Sequence, residues 1–379
     1  LLVPGSTYNV WVQNLDTMAK ATASVKVPTS TSGGGSTPTN PPTNPPTVGT
    51  LGKKAAELFG SNRSGLPWIS GAYVGYSGWG SEQADFEAMK NGELDAVHVY
   101  EANSDWGEVK DSINWILDLL SPAPSGLRLL YSLSILPRSN VRQWGQITSG
   151  ANDAHFTNVA QKLVAAGYGN SVIRPGWELD LENWPWSVIT TADVSAYKAA
   201  YRRIVGLFRS VAGQRFRFSY EMNSDTIAPW SGDRLAFFGP SGPYPGDDVV
   251  DLIGIDIYDW GTVHFGDEAQ FQERYRPDQG IGLGDVVDEC RKRGKAMCFN
   301  EWGLAVPDGP NDDGAGDNPF FIERMAQFFW ENRDIMGFEA YFNEPMDYIQ
   351  SALTGGQNPN GALAYRAKFG QNSPYKITA

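Results

Sequence analysis

From residue 51 onward, apolar residues recur in two alternating periods. Short runs rich in Val, Ile, Leu and aromatics predict strands at Ile69–Tyr76, Leu94–Tyr100, Leu127–Ser134, Ser171–Pro175, Phe216–Tyr220, Leu252–Tyr258, Ala296–Asn300 and Gly337–Phe342. Between them, helical spacing predicts helices at Glu82–Lys90, Val109–Leu120, Ala154–Ala166, Ser195–Val211, Leu283–Arg293 and Pro319–Asn332. In the second of these, Val109, Ile113, Ile116, Leu117 and Leu120 fall on one face. Eight strands alternating with helices over about 330 residues predict a (β/α)8 TIM barrel. An open doubly wound sheet is the alternative. No G-x-G-x-x-G follows the first strand, and eight units favour closure.

The pattern upstream is different. Tyr8, Val10 and Val12 alternate with polar residues, as Ala23, Val25 and Val27 do less regularly, so residues 1–29 predict two strands joined by a loop. This piece resembles the last hairpin of a fibronectin type III module. Residues 30–50, STSGGGSTPTNPPTNPPTVGT, predict a linker, flexible where Gly and Ser dominate and extended through the Thr-Asn-Pro-Pro repeat. Three segments follow: a partial β fragment at 1–29, the linker at 30–50 and the barrel domain at 51–379. The chain opens inside a strand pattern without an initiator Met, which predicts further sequence upstream.

Composition narrows the partners. A formal net charge of −13 disfavours nucleic acid and anionic membranes. No run of about 18 apolar residues predicts membrane insertion. Aromatics make up 12% of the 379 residues, including 13 Trp, which suits a surface of rings for a neutral polymer. Cys290 and Cys298 are too few for a disulfide framework or a Cys-rich zinc site; two buried thiols are favoured over a pair. His98, His155 and His264 lack ligand spacing, and no metal or cofactor is implied.

In a barrel of this kind the chemistry sits at the C-terminal ends of the strands. Those ends carry Tyr76–Trp79, Tyr100–Glu101, Trp177–Glu178, Glu221 and Asn223, Asp256 with Tyr258 and Asp259, Glu301–Trp302, and Asn343–Glu344. The densest stretch is Ser171–Trp186, SVIRPGWELDLENWPW, where acids and Trp crowd a loop. Trp faces stack on sugar rings, and a carboxyl held against apolar rings has its pKa raised, as a general acid requires. Glu178 follows the fourth predicted strand and Glu301 ends the seventh, across the barrel mouth. Opposed carboxylates are what glycosidic hydrolysis needs: one protonates the leaving oxygen, and the other attacks the anomeric carbon or activates water. Asp180 and Glu182 compete with Glu178 for the acid role. Glu221 and Glu344 suit sugar binding or salt bridges equally. Trp79, Trp184, Trp186, Trp230 and Trp260 are candidate platforms, about half of them expected to pack inward.

Three stretches resemble glycoside hydrolase family 26, a clan A family best known for endo-β-1,4-mannanases. Ile173–Glu178, IRPGWE, is similar to the family's Arg-Pro-Trp-His-Glu; Tyr244–Tyr258, YPGDDVVDLIGIDIY, is similar to its approach through the sixth strand; Phe299–Gly303, FNEWG, is similar to its Glu-Phe-Gly or Glu-Trp-Gly. The resemblance implies a retaining endo-glycosidase, with Glu178 as acid/base and Glu301 as nucleophile. It implies that Tyr258 bonds Glu301, that Trp302 walls the −1 subsite, and that Arg174 braces the nucleophile. Trp177 stands where the mannanases carry His, and Asp180-Leu181 replaces their Asn-Gly, so the resemblance implies the hydrolytic machinery more firmly than mannan; a bacterial surface glycan is the other expected substrate. Candidate binding or supporting residues are Trp177, Arg174, Tyr258, Trp302, Asp180, Trp184, Glu221, Trp79 and Trp260. The rival expectation is a non-catalytic carbohydrate-binding or adhesion protein on such a barrel. The linker suits an extracellular, secreted or virion-associated setting, including a larger multidomain or phage-tail protein.

Overall fold

A computed structural model describes residues 7–13, 20–26, 51–76, 79–121, 126–261, 265–306 and 314–376. The predicted linker lies outside them. The chain divides into two units, residues 1–45 and 46–379. In the first, β1 (Thr7–Gln13) pairs antiparallel with β2 (Lys20–Lys26), from Thr7 opposite Lys26 to Gln13 opposite Lys20.

The second unit is a closed eight-stranded parallel barrel. Its strands are β3 (Ile69–Tyr73), β4 (Ala96–Tyr100), β5 (Arg128–Leu133), β6 (Val172–Pro175), β7 (Arg217–Asn223), β8 (Leu252–Tyr258), β9 (Ala296–Gly303) and β10 (Met336–Phe342), with β10 closing on β3. The helices, in chain order, are α1 (Lys53–Phe59), α2 (Trp79–Lys90), α3 (Trp106–Leu119), α4 (Gly145–Thr148), α5 (Asp153–Ala165), α6 (Thr191–Arg209), α7 (Glu268–Tyr275), α8 (Leu283–Arg293), α9 (Pro319–Glu331) and α10 (Pro359–Phe369). Local chemistry sets their ends. Asp105 caps α3 by accepting from the Gly107 and Glu108 N–H groups, and Thr190 with Asp193 forms a capping box on α6. Gly294 ends α8 in the left-handed conformation that a side chain disfavours. Short α1, α4, α7 and α10 escape the periodicity argument because each is too short or too mixed to show a clear apolar stripe.

Side chains inside a barrel strand recur every second residue. The interior therefore reads as layers. The floor is apolar: Ile69, Ala96, Leu130, Val172, Leu252, Ala296 and Phe338 pack with Cys298 and Ala340. One step up, the same strands turn polar, with His98, Ser132, Arg174, Ser219 and Asn300 all buried. At the mouth come Tyr73, Tyr100, Tyr258 and Phe342. Apolar packing on the floor thus holds a charged middle layer beneath an aromatic rim.

One position makes room for that middle layer. A Cβ at Gly254 would meet Cys298 Sγ at 2.9 Å, Asn300 Nδ2 at 3.1 Å and Glu221 Cβ at 3.1 Å. Gly254→Ala is expected to destabilise the barrel by about 1–3 kcal/mol, the usual range for an overfilled core. Chemical denaturation checks it, and a neutral result contradicts the layer packing.

Candidate active site

Arg174 is the hub of the site. Strand β6 points Val172 to the floor and Arg174 to the polar layer, where its side chain is 1% exposed. Its Nε donates to Glu221, Nη2 to Asp256, and Nη1 to Glu301 Oε1 at 2.5 Å. Nη1 also lies 3.4 Å from Ser132 Oγ, which is 2.8 Å from His98 Nε2. His98 is completed by Tyr100, whose hydroxyl lies 3.3 Å from Nδ1, and is a hydrogen-bonded core histidine. One guanidinium therefore faces three buried carboxylates. Asn300 donates to Glu221, and the Glu301 N–H donates to Asp256 Oδ1 at 2.9 Å.

Glu301 reaches this layer through a β-bulge. Gly254 and Ile257 of β8 stand opposite Cys298 and Trp302 of β9, three steps against four. The same extra residue shows against β10, where Glu339 and Tyr341 face Phe299 and Trp302. A bulge re-aims the side chains that follow it. Asn300 and Glu301 consequently both contact groups of the barrel interior, although they are consecutive. Tyr258 donates to Glu301 Oε2 at 2.9 Å, so both oxygens of this carboxyl accept hydrogen bonds.

The bulge also decides the place of Trp302. Expected to wall the subsite, it is fully buried on the outer side of the barrel. It packs there against Phe321, Phe329, Tyr341, Tyr365 and Phe369, and its Nε1 donates to Glu339 at 2.7 Å. This is a correction to the expectation, and its cause is the one-residue change of register.

Glu178 comes from the turn after β6. Gly176 has φ +61° and Glu178 itself has φ +51°, a conformation uncommon for a residue with a side chain and often found where a site needs a particular aim. Trp184 Nε1 donates to Glu178 Oε2 at 2.6 Å. Burial, then the negative charge of Glu301, pushes the Glu178 carboxyl up to about 8, while Arg174 and Trp184 partly oppose the rise. Glu221 is pushed up to about 7, burial outweighing Arg174, and burial also carries Asp256 well above the usual range. Glu178 therefore carries a proton at neutral pH, its pKa raised first by desolvation and then by the neighbouring negative charge. One oxygen each of Glu178, Asp256 and Glu301 lies within 4.8 Å of the others. That spacing suits a metal in isolation, but Arg174 already occupies Asp256 and Glu301, and a dication there would sit against its guanidinium.

The other candidates separate by geometry. Trp177 is 3% exposed and stands edge-on to Tyr100, Trp184 and Trp186, at centroid distances of 5.6, 5.1 and 4.3 Å. It props up the rings beside Glu178. Asp180 is spent on structure: it accepts from the Asn223 N–H and from the Thr226 hydroxyl, tying the turn after β6 to the one after β7. Glu182 is exposed on the same loop. Trp260 is 38% exposed and its main chain pairs with Gly314 and accepts from Arg274, apart from the carboxylate cluster. Trp79 opens α2, and its side chain lies outside the described residues. Glu344 lies near the rim, its carboxyl raised by burial and bonded by Tyr73. Cys290 and Cys298 are both buried and unpaired.

Tyr100 is among the strand-end residues the sequence singles out, whereas its rim neighbours Tyr73 and Phe342, and Tyr348, are not. Tyr73, Tyr100 and Phe342 form the rim, Tyr73 stacking on Phe342 at 4.7 Å. Tyr348, 53% exposed after β10, belongs to the neighbourhood of the acids: partial burial of its phenol, then Glu344, Glu301 and Glu178, raise its hydroxyl above the usual range. Strand-end position was the available signal for the rim; none existed for Tyr348.

No family model matches the chain. An endoglucanase H of Acetivibrio thermocellus is 29% identical to it over 220 residues, 56% of this chain and 22% of that protein. A mannan endo-1,4-beta-mannosidase of Bifidobacterium adolescentis is 28% identical over 152 residues, 40% of this chain and 14% of that protein. The matches thus span less than a quarter of the length of these curated relatives. Among solved structures, the catalytic domain of a GH26 endo-beta-1,4-mannanase of Bacillus sp. JAMB-750 superposes with a TM-score of 0.57 at 14% identity, covering 88% of this chain and 95% of that one. A Cellulomonas fimi endo-beta-1,4-mannanase double mutant gives 0.58 at 13% identity, covering 88% and 80%. At these identities the likeness is one of fold. Among the described residues no helix is long and apolar enough to cross a membrane.

The raised acids make stability depend on pH. Folded Glu178 and Glu101, both near 8, and Glu221 and Glu339, both near 7, hold protons that unfolded carboxylates have lost. Where the folded state binds more protons, stability falls as pH rises. His155, pushed down to about 4 by burial, and His98, pushed well down, act in the opposite sense below about 6.5. The melting temperature is therefore expected to fall between about pH 6.5 and 8, with a shallower slope in Glu178→Gln. A rise over that window, or an unchanged slope in the variant, contradicts the assignment.

Proposed function

We propose that the barrel is a retaining endo-glycosidase that cleaves β-linked polysaccharide by double displacement. One observation carries the reading: a carboxyl raised to about 8, Glu178, faces Glu301, whose two oxygens are held by Arg174 and Tyr258. The first carries a proton at neutral pH and suits the acid. The second presents an acceptor fixed by two donors and suits the nucleophile. The oxygen spacing within 4.8 Å favours retention, for which the carboxyls lie about 5–5.5 Å apart, over inversion, which needs about 6.5–9.5 Å to admit water.

In the first step a Glu301 oxygen attacks the anomeric carbon as Glu178 gives its proton to the departing glycosidic oxygen. Covalent capture neutralises Glu301, which removes the repulsion that raised Glu178. Glu178, now ionised, takes a proton from water, and that water releases the sugar from Glu301. Arg174 keeps one positive charge beside Glu301, Glu221 and Asp256 throughout. The curated relatives, named for glucan and mannan cleavage, support a β-glycan substrate without choosing between them. Asp180 is already committed to Asn223 and Thr226, and Trp177 offers a ring where the mannanase pattern carries an imidazole, which leaves a bacterial surface glycan as the alternative to mannan. We place the activity outside the cell, on a modular protein whose linker separates a fibronectin-like β fragment from the barrel.

The opposed acids favour catalysis over a pure binding role, since recognition alone does not call for a protonated carboxyl facing an ionisable one. Product release from β-mannan, β-glucan, xylan and bacterial cell-wall glycans tests the reading. Glu301→Ala is expected to lose at least about 1,000-fold in turnover, and azide to rescue activated substrates as a glycosyl azide of inverted configuration. Glu178→Ala is expected to spare substrates with good leaving groups more than polymers. No product from any glycan, or near-normal turnover by Glu301→Ala, overturns it.

A further inference from the structure

The carboxylate cluster makes the barrel mouth acidic, yet one edge of it carries cations without acidic partners. Arg138 lies on the loop after β5, exposed, with its guanidinium 5.2 Å above the ring of Trp184. Trp184 is the residue that donates to Glu178. Its ring is parallel to that of Trp186, 5.5 Å away and fully buried. Arg138 is held where three successive loops meet. Its Nε donates to Asn103 Oδ1 at 3.0 Å on the loop after β4, and its Nη1 donates to the Asn183 carbonyl at 3.2 Å on the loop after β6. Its own N–H donates to the Asn103 carbonyl at 2.6 Å.

Both side-chain partners are neutral. A guanidinium has five N–H donors, and these contacts use two of them. Among the described residues no carboxylate lies within ion-pair distance of Arg138. Glu182, exposed beside Asn183, forms no such pair, and the Asp105 carboxylate is engaged in capping α3. Arg142, exposed on the same loop, likewise has no carboxylate partner, and its Nη1 reaches only Ser187 Oγ at 3.4 Å. Elsewhere on this acidic protein most arginines are paired: Arg202 with Asp248, Arg203 with Asp153, Arg276 with Asp285 and Asp288, and Arg324 with Glu268.

From this we infer that the leaving-group side of the cleft receives a sugar bearing an anionic substituent, held by the guanidinium of Arg138. The inference rests on the proposed function for its direction: Glu178 protonates the leaving oxygen, and Trp184 and Arg138 stand on the Glu178 side. Electrostatics then favours one register of the chain. The Glu301 carboxylate repels an anion from the cleavage point, while Arg138 attracts the anion on the leaving-group side. The unused edge of the guanidinium matches the two oxygens of a carboxylate, which makes a uronate the simplest occupant. A phosphate ester presents the same oxyanion chemistry.

The test is calorimetric binding, with Glu301→Ala as the parent protein so that nothing is turned over, of a uronate-bearing β-glycan oligosaccharide and of its carboxyl-reduced counterpart, with a phosphorylated oligosaccharide as a third arm. The parent protein, with Arg138 intact, is expected to prefer the acidic oligosaccharide by about tenfold at low salt, a preference that fades by about 0.5 M salt as screening shortens the reach of exposed charges. Arg138→Gln is expected to abolish the difference between acidic and reduced forms, and Arg138→Lys to retain most of it. Tighter binding of the phosphorylated arm identifies phosphate as the occupant and keeps the anion site. Equal binding of all three forms by the parent protein, or an undiminished preference once Arg138→Gln is added, overturns the inference. Because binding is read in a protein that does not turn the oligosaccharides over, an Arg138-dependent preference beside a wild type that cleaves nothing overturns the hydrolase reading and leaves the anion site standing.

Discussion

The structure depends on one buried cation. Arg174 is fully enclosed in the barrel and shares its guanidinium among Glu221, Asp256 and Glu301. Ionised groups of this kind are costly to bury, and the cost is offset only by good geometry and by hydrogen bonds to the remaining donors and acceptors. Here Ser132, Asn300, Tyr258 and the Glu301 N–H supply those bonds. The arrangement is rigid because its members come from different strands: β6, β7, β8 and β9. Moving any one strand breaks a contact that another strand requires.

A single positive charge does not balance the acids around it, and the proposed function rests on that shortfall. Glu178, Glu221 and Asp256 all lie above the ordinary carboxylate range for the same first cause, burial. Glu178 differs in being the acid that Arg174 does not touch and that Trp184 presents to the mouth. In the proposed mechanism the two carboxyls of one site take different roles, acid and nucleophile, through their surroundings. The apolar floor and the aromatic rim flank this layer from both sides, one closing the barrel and the other lining its mouth.

Much of this was legible in the sequence, for reasons that vary by residue. The eight strands show as apolar runs because barrel strands are buried on both faces, and the same burial hides the alternation that separates inside from outside. Glu178 and Glu301 stood out as acids at strand ends among rings. The resemblance implies a subsite wall for Trp302, and nothing in Phe299–Gly303 marks the bulge that turns it outward; an unbroken alternation would turn Glu301 away and Trp302 inward. Asp180 stands in the sequence as a binding or supporting candidate, and its partners, Asn223 and Thr226, come from the next βα loop, where the sequence alone cannot pair them. Arg138 drew no attention in the sequence, since only the folded loops show that its neighbours are neutral. The strand ends also drifted, β7 running to Asn223 and β9 to Gly303, because the polar site residues that finish these strands carry little strand propensity.

The central claim is that Glu178 holds its proton because of burial and the charge on Glu301. Carbon-13 NMR titration of the side-chain carboxyls, in the wild type and in Glu301→Gln, tests it most directly. The account predicts that Glu178 titrates near 8 in the wild type and distinctly lower once the Glu301 charge is removed. Titration of Glu178 in the ordinary range near about 4.3 in the wild type, or a value indifferent to Glu301→Gln, contradicts it.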